Sequence, residues 1–356
     1  MRFTGSRETR LLSVSWLIVG SLCLTFLAMS IEESLAAPSE EEGMAKLVEG
    51  AKKEGKLVLY TTMEGEHGEV IFRGFKKKYP FIEPGLVRSG GTRLVTRLMA
   101  ETRAGKRLSD VIEHAGFYGE IFKREGLYAK YIHPHWKYFA EGFKDPEGYW
   151  TSSYSNLIVI AYNRNSVSPR EAPKTYEDLL NPRWKGKMGM VANSESWFSF
   201  MLKVMGEEKG LEYFRKLAEQ NIQWREGATL NTQLVAAGEL DIGIRLYNYR
   251  VQLLKEQGAA IEWVAQEPIV AEIHPIGVAA HAPHPNAARL FIDYILSKEA
   301  QTIVANDLRR IPDRIDVDTP VPELKCRGKN IVAFDPSIVD DYERYLKLFR
   351  KVLLKK

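Results

Sequence analysis

Residues Ala172–Met190, APKTYEDLLNPRWKGKMGM, read as a short helix, a turn and the start of a strand. Thr175 offers a capping hydroxyl, and Glu177 and Asp178 fall in the first turn, where the positive helix end favours carboxylates. Asn181-Pro182 ends that helix, because a residue before proline is pushed out of the helical region. Trp184-Lys185-Gly186-Lys187 turns the chain into the apolar strand start Met188-Gly189-Met190. Upstream lies Ser155–Asn163 (SNLIVIAYN), an apolar strand; downstream lies Glu272–His281 (EIHPIGVAAH), a second one. These two runs predict a chain that leaves one α/β lobe, builds another and returns.

The first lobe is legible as a repeat of strand and helix. A charged helix over Glu40–Glu54 precedes the strand Lys56–Thr61 and the helix His67–Lys78, in which Val70, Ile71 and Phe75 point inward. A strand at Phe81–Val87, a helix at Arg93–Ala104, a strand at Asp110–Glu113 and a helix at Gly116–Glu125 follow. Such βαβ succession predicts a mainly parallel sheet with helices on both faces. Beyond the first crossing, helices are expected at Trp197–Met205, Gly210–Gln220, Thr229–Ala237 and Tyr249–Gln257, with strands at Asp241–Arg245 and Ala260–Ala265. Helices at Asn286–Leu296 and Lys298–Asn306 follow the return, and Asp335–Lys356 reads as a terminal amphipathic helix with Tyr342, Tyr345 and Phe349 on one side. The expected fold is α/β and two-lobed, with lobe one at 38–130 plus 273–312 and lobe two at 131–272 plus 313–356. Two crossings imply a hinge, and a ligand cleft between the carboxyl ends of the strands.

At 356 residues the chain is long enough for two cores. Its net charge of +4 is mild and spread, which argues against a nucleic-acid partner. Arg2, Arg7 and Arg10 precede the apolar run Leu11–Met29, and Ser34-Leu35-Ala36 supplies small residues for cleavage, so 1–36 reads as a signal peptide cut after Ala36 or Ala37. The run approaches spanning length, and a retained anchor is the alternative. Cys23 falls in this leader, which leaves Cys326 as a lone thiol in the mature chain.

Two segments carry a resemblance: Ala172–Met190, and His284-Pro285-Asn286-Ala287-Ala288-Arg289 followed by LFIDYILSKEAQ. Both resemble bacterial extracellular solute-binding proteins, the ferric-iron-type branch that feeds ABC importers, in register from about Lys56 to Pro320. The resemblance implies a periplasmic trap, monomeric, with ABC permease subunits as its partner and no cofactor beyond a carried ligand. In the ferric members two consecutive tyrosines bind Fe(III). Here Tyr249 matches the second and Asn248 replaces the first; the family's histidine ligand falls on Glu64 and its glutamate on Thr92.

Four places could meet a ligand. Thr61 and Thr62 follow the first strand, with helix capping as their structural alternative. Ser89, Gly90, Gly91 and Thr92 open a helix where backbone N–H groups favour an anion, and the same residues would serve as an ordinary capped turn. Ser194 and Trp197 open a helix in lobe two. Arg245, Tyr247 and Tyr249 follow the strand Asp241–Ile244. Arg245 is an anion clamp by chemistry, or the partner of Glu272 or Asp241 in a salt bridge. Arg93 could add to the clamp or sit on an exposed helix face. The preferred ligand is a small organic anion, a carboxylate or phosphonate. Ferric iron on Glu64, Tyr247 and Tyr249 with an exogenous anion is the alternative, and a ligand-sensing module for a membrane partner is a third reading. No His-Glu-x-x-His, Gly-x-Ser-x-Gly, phosphate loop or Gly-x-Gly-x-x-Gly occurs, so catalysis is not expected. His133, His135, His274, His281 and His284 read as turn residues without zinc spacing.

Overall fold

The computed structural model describes residues 40–90, 92–322, 330–333 and 335–354. The leader at 1–36, both cysteines and Gly91 lie outside the described residues. The chain divides into a unit at Met1–Glu49 and another at Gly50–Lys356. The described part of the first is helical, the start of α1 (Glu40–Glu54). Everything below concerns the second unit.

Ten strands form one sheet: β1 (Lys56–Thr61), β2 (Glu83–Arg88), β3 (Val111–Glu113), β4 (Thr151–Asn163), β5 (Met188–Val191), β6 (Gln223–Arg225), β7 (Ile242–Tyr247), β8 (Ile261–Val264), β9 (Ile269–Val278) and β10 (Ile331–Ala333). Their order is β2-β1-β3-β9-β4-β7-β5-β6, with β10 on β9 and β8 on β4. On one side β2, β1 and β3 run parallel, and on the other β7, β5 and β6 do so. Between them β9 and β4 are antiparallel to each other and to β3 and β7 respectively. The two expected sheets are therefore joined into one path, because the crossing strands pair with each other as well as with the strands beside them. All thirteen residues of β4 and all ten of β9 are buried, which accounts for the apolar run Leu157–Ala161 and leaves the polar residues of both strands buried as well. Gly277 on β9 is required by close approach: a Cβ there would lie 2.4 Å from the Tyr149 carbonyl oxygen.

The helices are α2 (Gly65–Lys78), α3 (Thr92–Arg103), α4 (Tyr118–Arg124), α5 (Glu195–Met205), α6 (Glu207–Ala218), α7 (Ala228–Ala237), α8 (Asn248–Glu256), α9 (Pro285–Ile295), α10 (Lys298–Asn306) and α11 (Tyr342–Phe349). Most of them follow a strand, which places their starts at the strand ends; α6, α10 and α11 instead follow another helical element. In α2 the inward residues are Ile71, Phe72 and Phe75, with Val70 only half-buried. At the start of α9 the Glu54 carboxylate accepts from the backbone N–H groups of Asn286 and Ala287, capping a helix that its proline opens.

Two expectations need correction. The helix within Ala172–Met190 is a pair of 3₁₀ turns, Glu177–Leu180 and Pro182–Trp184. The predicted cap is present, with the Asp178 N–H donating to Thr175 Oγ1 at 3.2 Å, but Pro182 leaves too few residues for an α-helix to propagate. The terminal helix is likewise broken, into a 3₁₀ segment (Pro336–Asp341), α11 and a π-turn (Arg350–Leu354).

Candidate ligand-binding cleft

A cavity of about 620 Å³ opens where the chain leaves β1, β3 and β7. Strand alternation builds its floor. Tyr154 and Asn156 on β4, and Glu272 and His274 on β9, face the cavity, while Ser155, Leu157 and Ala271 face the opposite side of the sheet. The walls come from helix starts: Glu64 before α2, Gly90 and Arg93 at α3, Phe117 and Tyr118 at α4, Glu195 and Ser196 at α5, and Tyr249 in α8.

Two similar sets of arginine, glutamate and tyrosine dominate the wall. In the first, Arg245 Nη2 donates to Glu272 Oε1 at 3.1 Å, and the Tyr247 hydroxyl donates to the other oxygen of Glu272. The Arg245 guanidinium lies over the Tyr247 ring, 5.2 Å from its centroid. In the second, Arg310 donates to Glu64, and the Tyr249 hydroxyl donates to Glu64 Oε1 at 2.6 Å. The Arg310 guanidinium lies 4.2 Å from the Tyr249 ring centroid and 4.3 Å from that of Tyr154. The rings of Tyr247 and Tyr249 stack at 6.0 Å.

Arg245 reaches this place through an irregular backbone. Between Val159 and Ala161 of β4 the register with β7 shifts, so Val159 faces Leu246 while Ala161 faces Gly243. The extra residue is taken up beside Arg245, whose φ is +60°, a left-handed value that costs a non-glycine residue about 1–3 kcal/mol. The bulge re-aims the side chain. Among the described residues its Nε–H is buried with no acceptor, and the Thr62 hydroxyl, which also lines the cavity, is buried without a partner.

A buried polar chain supports the floor. Glu113, fully buried at the end of β3, accepts from the Thr61 hydroxyl and from the Thr62 backbone N–H at 3.1 Å, and pairs with His274 Nδ1. With Nδ1 donating to that carboxylate, His274 Nε2 accepts from Asn156 Nδ2 at 3.0 Å. Asn156 Oδ1 in turn accepts from Arg310 Nη1 at 2.9 Å. Burial works to raise the Glu64 carboxyl, but the Arg310 charge and the Tyr249 hydroxyl outweigh it and hold it at about 2. Burial and Arg310 together press His67 down to about 4. Burial pushes the Tyr247 and Tyr249 hydroxyls above their ordinary range; Arg245 and Arg310 oppose this, and Glu272 and Glu64 add to it. Both rings therefore carry their protons at neutral pH.

Residues 108–325 match the family described as bacterial extracellular solute-binding protein, more than half of the chain. The chain belongs to that family. An uncharacterized protein of Haemophilus influenzae is 24% identical over 83% of this solute-binding chain and 87% of its own length. Iron uptake protein A1 of Synechocystis is 26% identical over 48% of this chain, which spans 52% of that protein. A putative 2-aminoethylphosphonate-binding periplasmic protein of Salmonella typhimurium is 26% identical, with 52% of this chain and 57% of that one covered. The chain thus spans only about half the length of the latter two. Among solved structures, iron-bound HitA from Pseudomonas aeruginosa aligns with a TM-score of 0.74 at 21% identity, over 83% of this chain and 99% of its own. AfuA from Actinobacillus pleuropneumoniae, with exogenous fructose-6-phosphate bound, aligns with 0.74 at 22% identity, over 84% and 99%. These likenesses establish the two-lobed periplasmic-binding-protein fold.

Within this solute-binding protein, Thr62, Glu64, Gly90, Arg245, Tyr247 and Tyr249 line the cavity, as does Arg93. Thr61 does not: its hydroxyl is turned onto Glu113 beneath the floor. Ser89 stands at the end of β2, its backbone N–H on the Thr61 carbonyl, and Thr92 is the first residue of α3. Ser194 is fully buried with its hydroxyl on the Val191 carbonyl at 2.6 Å, and Trp197 is packed in the core against Phe214. Their helix does reach the cavity, but through Glu195 and Ser196, with Asn193 just before it, because consecutive residues turn about 100° round the helix and so meet different faces. Asn248, at the first-tyrosine position, accepts from the Leu157 N–H at 2.8 Å. Among the two salt-bridge partners considered for Arg245, Glu272 is the one in contact.

The reading of His274 as a turn residue is corrected: it sits within β9, paired with Glu113. Four other cavity residues, Tyr154, Asn156, Glu272 and Arg310, escaped the sequence reading as ligand contacts. A signal existed for three of them, since polar groups alternating within two otherwise apolar strands mark one face of those strands as polar. Arg310 follows α10 in an unremarkable Arg-Arg-Ile-Pro run, and nothing local announces that the first arginine is half-exposed and the second buried.

Proposed function

We propose that the chain captures a small organic anion, a carboxylate or phosphonate, and delivers it to an ABC importer's permease. The observation that carries this is the Arg245 Nε–H, a buried donor beside the cavity without an acceptor. Such a group costs about 1–3 kcal/mol when left unmade, and a ligand oxygen is the acceptor it lacks. The unpartnered Thr62 hydroxyl and the start of α3 with Arg93 offer further donors. Lobes at 38–130 plus 273–312 and 131–272 plus 313–356 would close over the ligand about β4 and β9, and a permease reading the closed form would receive loaded protein only. A leader at 1–36 would deliver the protein to the periplasm; among the described residues no helix is long and apolar enough to cross a membrane.

A melting-temperature screen of carboxylates and phosphonates tests the reading. A true ligand at about 100 times its dissociation constant stabilises by roughly 2.7 kcal/mol. No stabilisation by either class refutes it.

One observation favours a second reading, ferric iron. Tyr247, Tyr249, Glu64 and Glu272 bring four oxygen-bearing side chains to the same cavity. Against it stand Arg245 and Arg310, whose charges already neutralise both carboxylates, and the protons that both tyrosines would have to shed. Among the described residues no cluster of three or more His, Cys, Asp or Glu could hold a metal. Titration with ferric citrate decides: a visible tyrosinate-to-iron band supports iron, and its absence removes it.

A further inference from the structure

The charges facing the cavity do not suit a purely anionic ligand. Four carboxylates line it, Glu64, Glu195, Glu226 and Glu272, against three guanidiniums, those of Arg93, Arg245 and Arg310. Two of each cancel in direct contact, Glu64 with Arg310 and Glu272 with Arg245. Glu195 and Glu226 have no cation within ion-pairing distance among the described residues.

Glu195 is set in an aromatic corner. Phe117 and Tyr118 stack with centroids 4.7 Å apart, and Phe117 meets Tyr342 at 4.8 Å. The Tyr342 hydroxyl makes a long contact of 3.4 Å to Glu195 Oε1. Burial holds the hydroxyls of Tyr118 and Tyr342 above their ordinary range, so both are neutral phenols, and with Phe117 they line the cavity beside Glu195. A carboxylate bordered by such rings is the chemistry that recognises an ammonium group, by ion pairing and cation–π attraction. Glu195 also heads α5, where the helix end supports its charge.

We propose that the Glu195, Phe117, Tyr118 and Tyr342 corner is a second subsite, and that it binds an ammonium group carried by the ligand. The ligand is then a zwitterion, its anionic end on the Arg245 side of the cleft; the inference rests on the anion reading above for that end. The two charges are joined by a short chain, because Arg245 and Glu195 line the same cavity of about 620 Å³.

The test is calorimetric titration of the purified protein with three probes: 2-aminoethylphosphonate, propylphosphonate, in which a methyl replaces the ammonium, and propylammonium. The expected result is at least a tenfold preference for the aminophosphonate over propylphosphonate. Glu195→Gln should abolish that preference, Tyr342→Ala should weaken it and Tyr342→Phe should retain it. Equal affinities for the two phosphonates overturn the subsite while leaving the anion reading intact. A preference lost in Glu226→Gln but kept in Glu195→Gln also overturns it. If neither phosphonate binds, the anion reading fails and propylammonium decides the corner alone: saturable binding lost in Glu195→Gln supports it, and no binding overturns it.

Discussion

Tyr249 and Glu64 join residues that the chain places on opposite sides of the central β9–β4 pair, through a hydrogen bond of 2.6 Å. The carboxylate that receives it is held ionised by Arg310, and Tyr249 keeps its proton, so the contact is made at neutral pH. It is a bridge across the cleft made by the protein's own side chains.

Tyr249→Phe removes that bridge and little else. Ligand-free protein should open, with a larger radius of gyration in solution scattering, and lose about 1 kcal/mol of stability. An unchanged radius would mean that the bridge does not hold the cleft.

Arg245→Ala leaves Glu272 buried without its cation, so it should destabilise by about 3–5 kcal/mol. Adding Glu272→Gln should recover more than half of that loss. Urea denaturation of the two single variants and the double variant completes the cycle; strict additivity would show that the pair is not coupled.

Asp313 gives a pH signature. Burial pushes its carboxyl from the ordinary 3.8 up to about 7, against the Ser152 and Ser155 hydroxyls that donate to it. Its favourable contribution is complete below about 3.8 and lost as pH rises through 7, where a buried carboxylate must form. Asp313→Asn should therefore gain about 2 kcal/mol more at pH 8 than at pH 5, since each unit in that window is worth up to 1.4 kcal/mol. A pH-independent effect would refute the assignment. His67 slopes the other way: as pH falls from 6.5 to about 4 the unfolded chain takes up a proton that the folded state resists.

Export makes a prediction about mass. The protein recovered from cells should begin at Ala37 or Pro38, as read by intact-mass spectrometry. A retained residue 1 would favour the anchor.

The sequence made the fold easier to read than the site. The crossing strands announced themselves through apolar stretches such as Leu157–Ala161, buried on both faces, although polar residues alternate elsewhere along them. The short strands β6 and β10 went unread, having three residues each and no period to display. Strand ends and the helix starts after them gave Thr62, Gly90 and Arg245, all of which line the cavity. The same rule misassigned Ser194 and Trp197 to the cavity, because it locates a helix start without telling which face of its first turn is wet. Arg310 was illegible for a different reason: its role depends on Glu64, Asn156 and two rings that are 61 to 246 residues away in the chain, and only the assembled sheet brings them together.

The two faces of β4 and β9 have a consequence for how this protein can change over generations. Asn156 and Glu272 line the cleft proposed to hold the solute, and their strand neighbours Ser155 and Ala271 belong to the connection about which the halves would turn. A substitution on these strands alters what is held and how readily the trap shuts in one stroke, so selection cannot tune one without disturbing the other. The helix starts carry no such double duty. New cargo is therefore expected to be acquired at positions like Glu64, Arg93 and Glu195, with the strands left as inherited machinery.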